Sequence, residues 1–582
     1  MKRALALGSA TVLASTGLLS LTTGAHASTD NHVKDIKHLV VIYEENHSFD
    51  NLYGSWGAVG KKQIDGLPSS GGTQVDQSGN PISCLFQNDA NLGTTTQKFK
   101  WIGEPSAMTA SHPGHLTGAC SGSLPNGGTA FDSHFGSSRP FALSDYVTPA
   151  DTSCAEDGHA PATGVLATTR DATNGDPQGL TGGCTRDIVH RFYQEQYQLD
   201  GGKQDRYSTG SDAAGLTQGF YDTKALPVYS YLHDKGAPNY VIADHFFQGA
   251  FGGSFLNHQY LIAAHAPVWS GLTAAQGKNS KLDSAAFPNK TYPLYAPDPN
   301  ATYNDGPVTQ ACPAAPGHDA AGNTVDGSGR ACGNYAVNTV QPTNQPSAGG
   351  SNTLPLINDT DPSAANYESN IGDELSAKGV SWNWYAGGWD DANAGQPDPL
   401  FQFHHQPFNY FANYAPGKPG RDHLQDEKNF LSAAKDGSLP AVSFVKPIGE
   451  ENEHPGYAST ENGESHLVDL LKTIESGPDA DSTLVVVTYD EFGGQWDHVA
   501  PPGQGKANGP SDAYGPGTRI PALILGAPIQ HSTVDSTSYD TTSILATIEK
   551  LWGVAPLGSR DAAVNDLTKA VIAAHDNGSG ND

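Results

Sequence analysis

Glu45, Asn46, Asp490 and Glu491 are hard oxygen donors of the kind that hold a divalent cation. They close two separate apolar runs, "HLVVIY" (38–43) and "TLVVVTY" (483–489). Carboxylates gathered from separate segments repel one another unless a cation relieves them. A third run, "NYVIAD" (239–244), leads into "FGGSFLNHQYLIAA" (251–264), where two glycines permit a sharp turn and Ser254 falls in the first turn of a helix. Unsatisfied N–H groups and the dipole at such a terminus attract an anion. Ser254 therefore reads either as a helix cap or as a nucleophile facing a phosphoryl or acyl group, and the nearby carboxylates favour the nucleophile. A cation beside it would also depress the hydroxyl pKa, which adds Ser254 to the metal set. Asn257 follows within the same helix, and the spacing is not the G-x-S-x-G of a nucleophile elbow, since Leu256 stands where the second glycine would be. Histidines supply the remaining chemistry: His190, His404, His405, His454 in "EHPG" and His498 in "WDHV" titrate near neutral pH and suit acid catalysis or phosphate contact.

These residues need a scaffold that brings strand ends together. Six apolar runs read as buried strands: 38–43, 239–244, 379–385, 440–445, 483–489 and 520–526. Segments with helical spacing, such as 226–236 and 464–477, alternate with them. Alternation of this kind gives an α/β/α sandwich around a mainly parallel sheet. Ligands bind such sheets in the crevice outside the carboxyl ends of the strands, where the polar clusters fall.

The first 27 residues have a basic start, an apolar middle and the small-residue ending Ala25-His26-Ala27, the pattern of a secretory signal. The expected organisation is a signal peptide, 1–27, followed by one catalytic domain, 28–582, carrying long inserts at about 61–186 and 270–365. All six cysteines lie in those inserts and show no C-x-x-C spacing, which fits disulfide staples in an exported protein. A formal charge of −29 argues against nucleic acid as a partner and disfavours adsorption to anionic lipid. No later segment is apolar enough to span a membrane, and a soluble, extracellular monomer is expected.

The pieces "YEENHSFDNLYG" (43–54), "DIVHRFYQEQYQLDGG" (187–202), "DHFFQGAFGGSFLNHQYLIAA" (244–264), "EHPGY", "VVVTYDEFGGQWDHVAPP" (485–502) and "SYDTTSILATIEKLWGV" (538–554) stand in order along nearly the whole chain. Together they resemble the bacterial secreted phosphoesterase family of phospholipases C and acid phosphatases. The resemblance implies an alkaline-phosphatase-like fold and one divalent metal, held by Glu45, Asn46, Ser254, Asp490 and Glu491. Ligand hardness favours Ca²⁺, Mg²⁺ or Mn²⁺ over Zn²⁺. In the family scheme Ser254 is the nucleophile, attacking phosphorus to give a phosphoserine that water then hydrolyses. His454 is the preferred acid for the leaving alkoxide, and His190 and His498 are further catalytic candidates. His190 and His454 match phosphate-contacting or acid positions of the family, and His404 or His405 a further such position that contacts substrate. His47 departs from the Arg usual after the Glu-Asn pair.

Substrate choice rests on less. "SWNWYAGGWDDA" (381–392) sets Trp384 and Trp389 beside acids, a composition that suits either an ammonium headgroup or a buried strand. With Asn257 these aromatics complete the expected substrate contacts. A phospholipase C acting on ethanolamine or choline phospholipids is the first expectation and an acid phosphatase the alternative. A phosphatase must bind a dianion, for which Lys203, Arg206 and Arg519 are available. A sulfatase lacks its modification motif around Ser254, and a non-catalytic binding protein would have no use for that serine.

Overall fold

A computed structural model describes residues 33–75, 79–81, 139–145, most of 185–267, and 344–576 except 353, with four two-residue strands between 304 and 336. The expected signal peptide, all six cysteines and most of both inserts lie outside the described residues.

Eight strands build one sheet: β1 (His38–Glu44), β2 (Tyr240–Ala243), β3 (Trp382–Ala386), β4 (Leu424–Asp426), β5 (Val442–Lys446), β6 (Thr483–Tyr489), β7 (Ala522–Gly526) and β8 (Thr533–Asp535). Their spatial order is β4-β3-β5-β1-β6-β7-β2-β8. All neighbours run parallel except β7, which is antiparallel to both β6 and β2. Every residue of β6, and every residue of β1 but the first, is buried. Successive side chains on a strand point to opposite faces, so both faces of the sheet are covered.

Among the described residues ten helices accompany it: α1 (Phe49–Leu52), α2 (Phe192–Leu199), α3 (Pro227–His233), α4 (Ser254–Ala263), α5 (Ile371–Lys378), α6 (Trp389–Asn393), α7 (Glu427–Asp436), α8 (Thr460–Ser476), α9 (Thr542–Trp552) and α10 (Thr568–Asp576). α3, α7 and α8 pack in one group, and α4, α5 and α9 in another. α8 shows why these segments are helical. Ser459 caps it by accepting the Asn462 N–H, Leu467, Val468, Leu470, Leu471 and Ile474 form the buried stripe, and Gly477 follows its last residue.

Strand order fixes the site. β5, β1 and β6 are neighbours and end together at Lys446, Glu44 and Tyr489. The register pairs Glu44 with Tyr489, so Glu45 and Asp490 leave the sheet side by side. All six expected strands form. β4 and β8, short edge strands of three residues each, complete the sheet beyond them.

Candidate active site

Ser254 is the first residue of α4, and Gly253 occupies the capping position, so the hydroxyl is not used as a helix cap. The turn before it is stapled from two sides. Asn257 accepts the Ala250 N–H at 2.8 Å, and its amide donates to the carbonyls of Ala250, Gly252 and Gly253. Glu195, on α2, accepts the N–H of Gly252 (2.5 Å) and both the N–H and hydroxyl of Thr518. Burial pushes the Glu195 carboxyl up to about 7, against those donors. Ser254 Oγ then faces Glu491 Oε1 at 3.5 Å, and His190 Nε2 lies 3.1 Å from that same oxygen. His190 Nδ1 donates to the Ile188 carbonyl, which fixes the ring with Nε2 toward the acid.

A second group surrounds Glu45. Lys446 Nζ is 2.8 Å from Glu45 Oε1, His405 Nε2 approaches that oxygen at 2.5 Å, and His454 Nε2 is 3.5 Å from Oε2. Burial alone would raise the Glu45 carboxyl, but Lys446 and His405 hold it well below the usual range. Burial lowers His405 to about 4, so its ring is neutral at working pH. His404 sits against both neighbours, 4.7 Å from His405 and 5.3 Å from His258 between ring centres. Asn46 Nδ2 donates to His454 Nε2 at 2.9 Å while His454 Nδ1 donates to the Pro455 carbonyl, a pattern that requires the neutral ring. Asn46 has φ +67, and its carbonyl lies where a Cβ on Gly493 would come within 2.3 Å. Only glycine fits at 493, which explains the first glycine of "DEFGG".

The acids on β6 complete the arrangement. Burial, with the charge of Glu45, raises Asp490 to about 8, and burial with the charge of Asp490 raises Glu491 well above its ordinary value. Asn46 Oδ1 and Asp490 Oδ2 are shielded from solvent and accept no hydrogen bond. Buried acceptors without donors are costly, and hard oxygens of this kind fit a divalent cation.

Four of the expected site residues, Trp384, Trp389, Asn257 and His498, are engaged elsewhere. Trp384 and Trp389 are core residues, fully shielded from solvent. Trp384 stacks on Phe444 and donates to the His405 carbonyl, and the Arg421 guanidinium covers Trp389. Packed among Phe444, Phe408 and His258, Trp384 has no open ring face for a headgroup. Asn257 spends its amide on the backbone before Ser254 and so holds that turn rather than facing an open site. His498 stands in a separate ion cluster, its nitrogens 2.6 Å from Asp50 and 3.1 Å from Asp65, beside Arg519, which pairs with Asp50 and Asp497. His47 is also structural. It bonds Asn51 and the Glu453 carbonyl, and burial lowers it to about 4, so it brings no cation to the place of the Arg.

Lys446 was not singled out from sequence, although a lone cation closing the apolar run "AVSFVK" was the available signal. Nor was Glu195.

Two predictions arise here. Asn257→Ala leaves one buried N–H and three carbonyls without their donor or acceptor. It is expected to cost about 3 kcal/mol in chemical unfolding and to lower kcat, since buried unpaired groups cost about 1–3 kcal/mol each and local relaxation recovers part. Burial would lower the His498 imidazole from 6.5, but the hydrogen bond and charge of Asp50 outweigh it and raise it to about 9. The folded state therefore binds this proton more tightly than the unfolded chain. The resulting stability is complete below pH 6.5 and is lost as pH rises through about 9. His498→Gln should flatten that part of the stability profile, measured by urea unfolding across the range.

A family model described as "Phosphoesterase family" matches residues 128–555. The chain belongs to that family. Within it, the chain is 32% identical over 213 residues to a non-hemolytic phospholipase C of Burkholderia pseudomallei, covering 31% of this chain and 29% of that protein. It is 32% identical over 167 residues to non-specific phospholipase C6 of Arabidopsis thaliana (24% and 32%), and 31% identical over 165 residues to phospholipase C B of Mycobacterium tuberculosis (24% and 31%). The matched segments thus span about a third of each of these phosphoesterase relatives. A solved alkaline phosphatase superfamily protein from Vibrio parahaemolyticus aligns with TM-score 0.22 and 15% identity over 33% of this chain and 50% of that one, too weak a likeness to bear on the fold. Among the described residues no helix is long and apolar enough to cross a membrane.

Proposed function

We propose that the protein is an exported, metal-dependent phosphoric ester hydrolase of the phospholipase C type, with an alkaline-phosphatase-like architecture. The observation that carries this reading is Ser254, released from capping at the start of a ten-residue helix, with its hydroxyl turned to Glu491 and His190 on the far side of that carboxylate. Glu45, Asn46, Ser254, Asp490 and Glu491 would hold a divalent cation, which when bound supplies Lewis acidity to the phosphoryl oxygens and lowers the hydroxyl pKa.

Ser254 Oγ attacks phosphorus and loses its proton toward Glu491 and His190. The bond from phosphorus to the glycerol oxygen breaks, and His190 Nε2 returns the proton to the leaving alkoxide. This reading prefers His190 to His454, because His454 Nε2 is engaged as an acceptor of the Asn46 amide. The N-terminus of α4 favours the equatorial charge. Water activated by His190 then breaks the bond between Ser254 Oγ and phosphorus, releasing the phosphorylated headgroup and restoring the hydroxyl.

A diester is favoured over a monoester because the three cations singled out for a dianion are committed. Lys203 and Arg206 pair with Asp200, and Arg519 with Asp50 and Asp497. The names of the relatives support the same choice. Export is supported by the basic, then apolar, then small-residue start of the chain.

The test is a paired assay of purified protein: release of the phosphorylated headgroup from phosphatidylcholine or phosphatidylethanolamine vesicles, beside p-nitrophenyl phosphate hydrolysis. Lipid cleavage should vanish with chelator and return on adding Ca²⁺, Mg²⁺, Mn²⁺ or Zn²⁺. Monoester hydrolysis without lipid cleavage would instead establish an acid phosphatase.

A further inference from the structure

Away from Ser254, Glu427, Glu451 and His466 bring three ligand atoms within 4.8 Å of one another. Glu427 opens α7, His466 lies in the second turn of α8, and Glu451 is on the loop leaving β5. His466 Nε2 is 2.9 Å from Glu427 Oε1 and 3.6 Å from Glu451 Oε2.

Two observations separate this group from an ordinary ion pair. Glu427 is only 6% exposed, and its second oxygen, Oε2, is closed off from solvent and accepts no hydrogen bond. Glu44, the last residue of β1, is completely buried with both oxygens in the same condition, near enough for the charges of His466 and Glu427 to act on it. One imidazolium shared among these acids leaves three buried oxygens without a donor.

We propose that Glu427, Glu451 and His466 form a second divalent-cation site, backed from the core by Glu44 and distinct from the site at Ser254. One imidazole nitrogen with carboxylate oxygens selects Zn²⁺ over Ca²⁺ or Mg²⁺. The ion ties the starts of α7 and α8 to the loop after β5. That loop carries the Asn452 carbonyl, which accepts the Glu45 N–H at 2.9 Å, and leads to His454, which accepts the Asn46 amide. The second site therefore braces the segment against which Glu45 and Asn46 are set.

The experiment uses the full chain, stripped with chelator and dialysed against Zn²⁺, with bound metal counted by mass spectrometry and the thermal midpoint recorded with and without the ion. Glu451→Gln is the main variant because its side chain is 45% exposed and its loss should leave the stripped protein's midpoint unchanged. His466→Gln is the second. Each should bind one Zn²⁺ fewer than wild type and lose most of the Zn²⁺-induced rise in midpoint. In the Co²⁺-loaded protein each should lose the absorption of an imidazole-ligated ion. Glu45→Gln should retain that absorption. Unchanged metal content and midpoint shift in Glu451→Gln and His466→Gln would overturn the proposal and leave His466 as an imidazolium paired with two glutamates.

Discussion

Ser254→Ala is expected to lower kcat by about 10⁴- to 10⁶-fold, the range for removing a nucleophile that acts as a unit with its proton acceptor. The fold should survive with a stability change of about 1 kcal/mol, because the hydroxyl caps nothing and its partners are the acids Glu491, at 3.5 Å, and Asp490. Binding of a non-hydrolysed lipid analogue should be retained, since the helix terminus and the acids around Glu45 are untouched. In wild type, acid quenching during turnover should trap the phosphorylated headgroup (phosphocholine or phosphoethanolamine) as a diester on Ser254, read by peptide mass spectrometry. Turnover surviving in the alanine variant would overturn the nucleophile assignment, and turnover without this trapped adduct would argue for direct attack by water.

The parts of this site legible in the sequence were those that follow from strand chemistry. Apolar runs such as "TLVVVTY" announce strands buried on both faces, and polar residues at their ends announce a crevice. Strand order was not legible, because nothing local in Val442–Lys446 states that β5 lies beside β1. That neighbourhood makes Lys446 the partner of Glu45. The same gap explains the aromatic segment. Trp384 suits a headgroup cage until Phe444, Phe408 and His258 close around it. Asn257 and His498 show a second limit. Their positions next to a nucleophile and in a strand-end loop are those of functional residues, yet their side chains are consumed by Ala250 and Asp50, which only the folded backbone brings near. β4 and β8, at three residues each, are too short for a two-residue period to declare itself. The antiparallel direction of β7 is set by its connections, which composition does not encode.

Lys446→Met is expected to destabilise the chelator-stripped protein by about 3–5 kcal/mol, the cost of leaving one charge of a buried pair without its partner. Lys446 and Glu45 are both fully buried, and Met replaces the aliphatic stem without filling the charge. The pH dependence follows from the same pair. Glu45 is held below its ordinary value, so its contribution is present above about pH 4.5 and lost as pH falls through the depressed folded value. In Lys446→Met that acid-side loss should disappear, because Glu45 gains nothing from ionising in the folded state. Adding Glu45→Gln to the variant should recover most of the stability while activity stays absent, a coupling that a double-mutant cycle reads directly. Equal unfolding midpoints for wild type and Lys446→Met would sink the argument. Lys446 thus offsets part of the repulsion that Glu45, Asp490 and Glu491 would otherwise exert across the ends of β1 and β6. The remaining carboxylate charge, and the orphaned oxygens of Asn46 and Asp490, are what leave this crevice suited to a cation and an anionic phosphoester together.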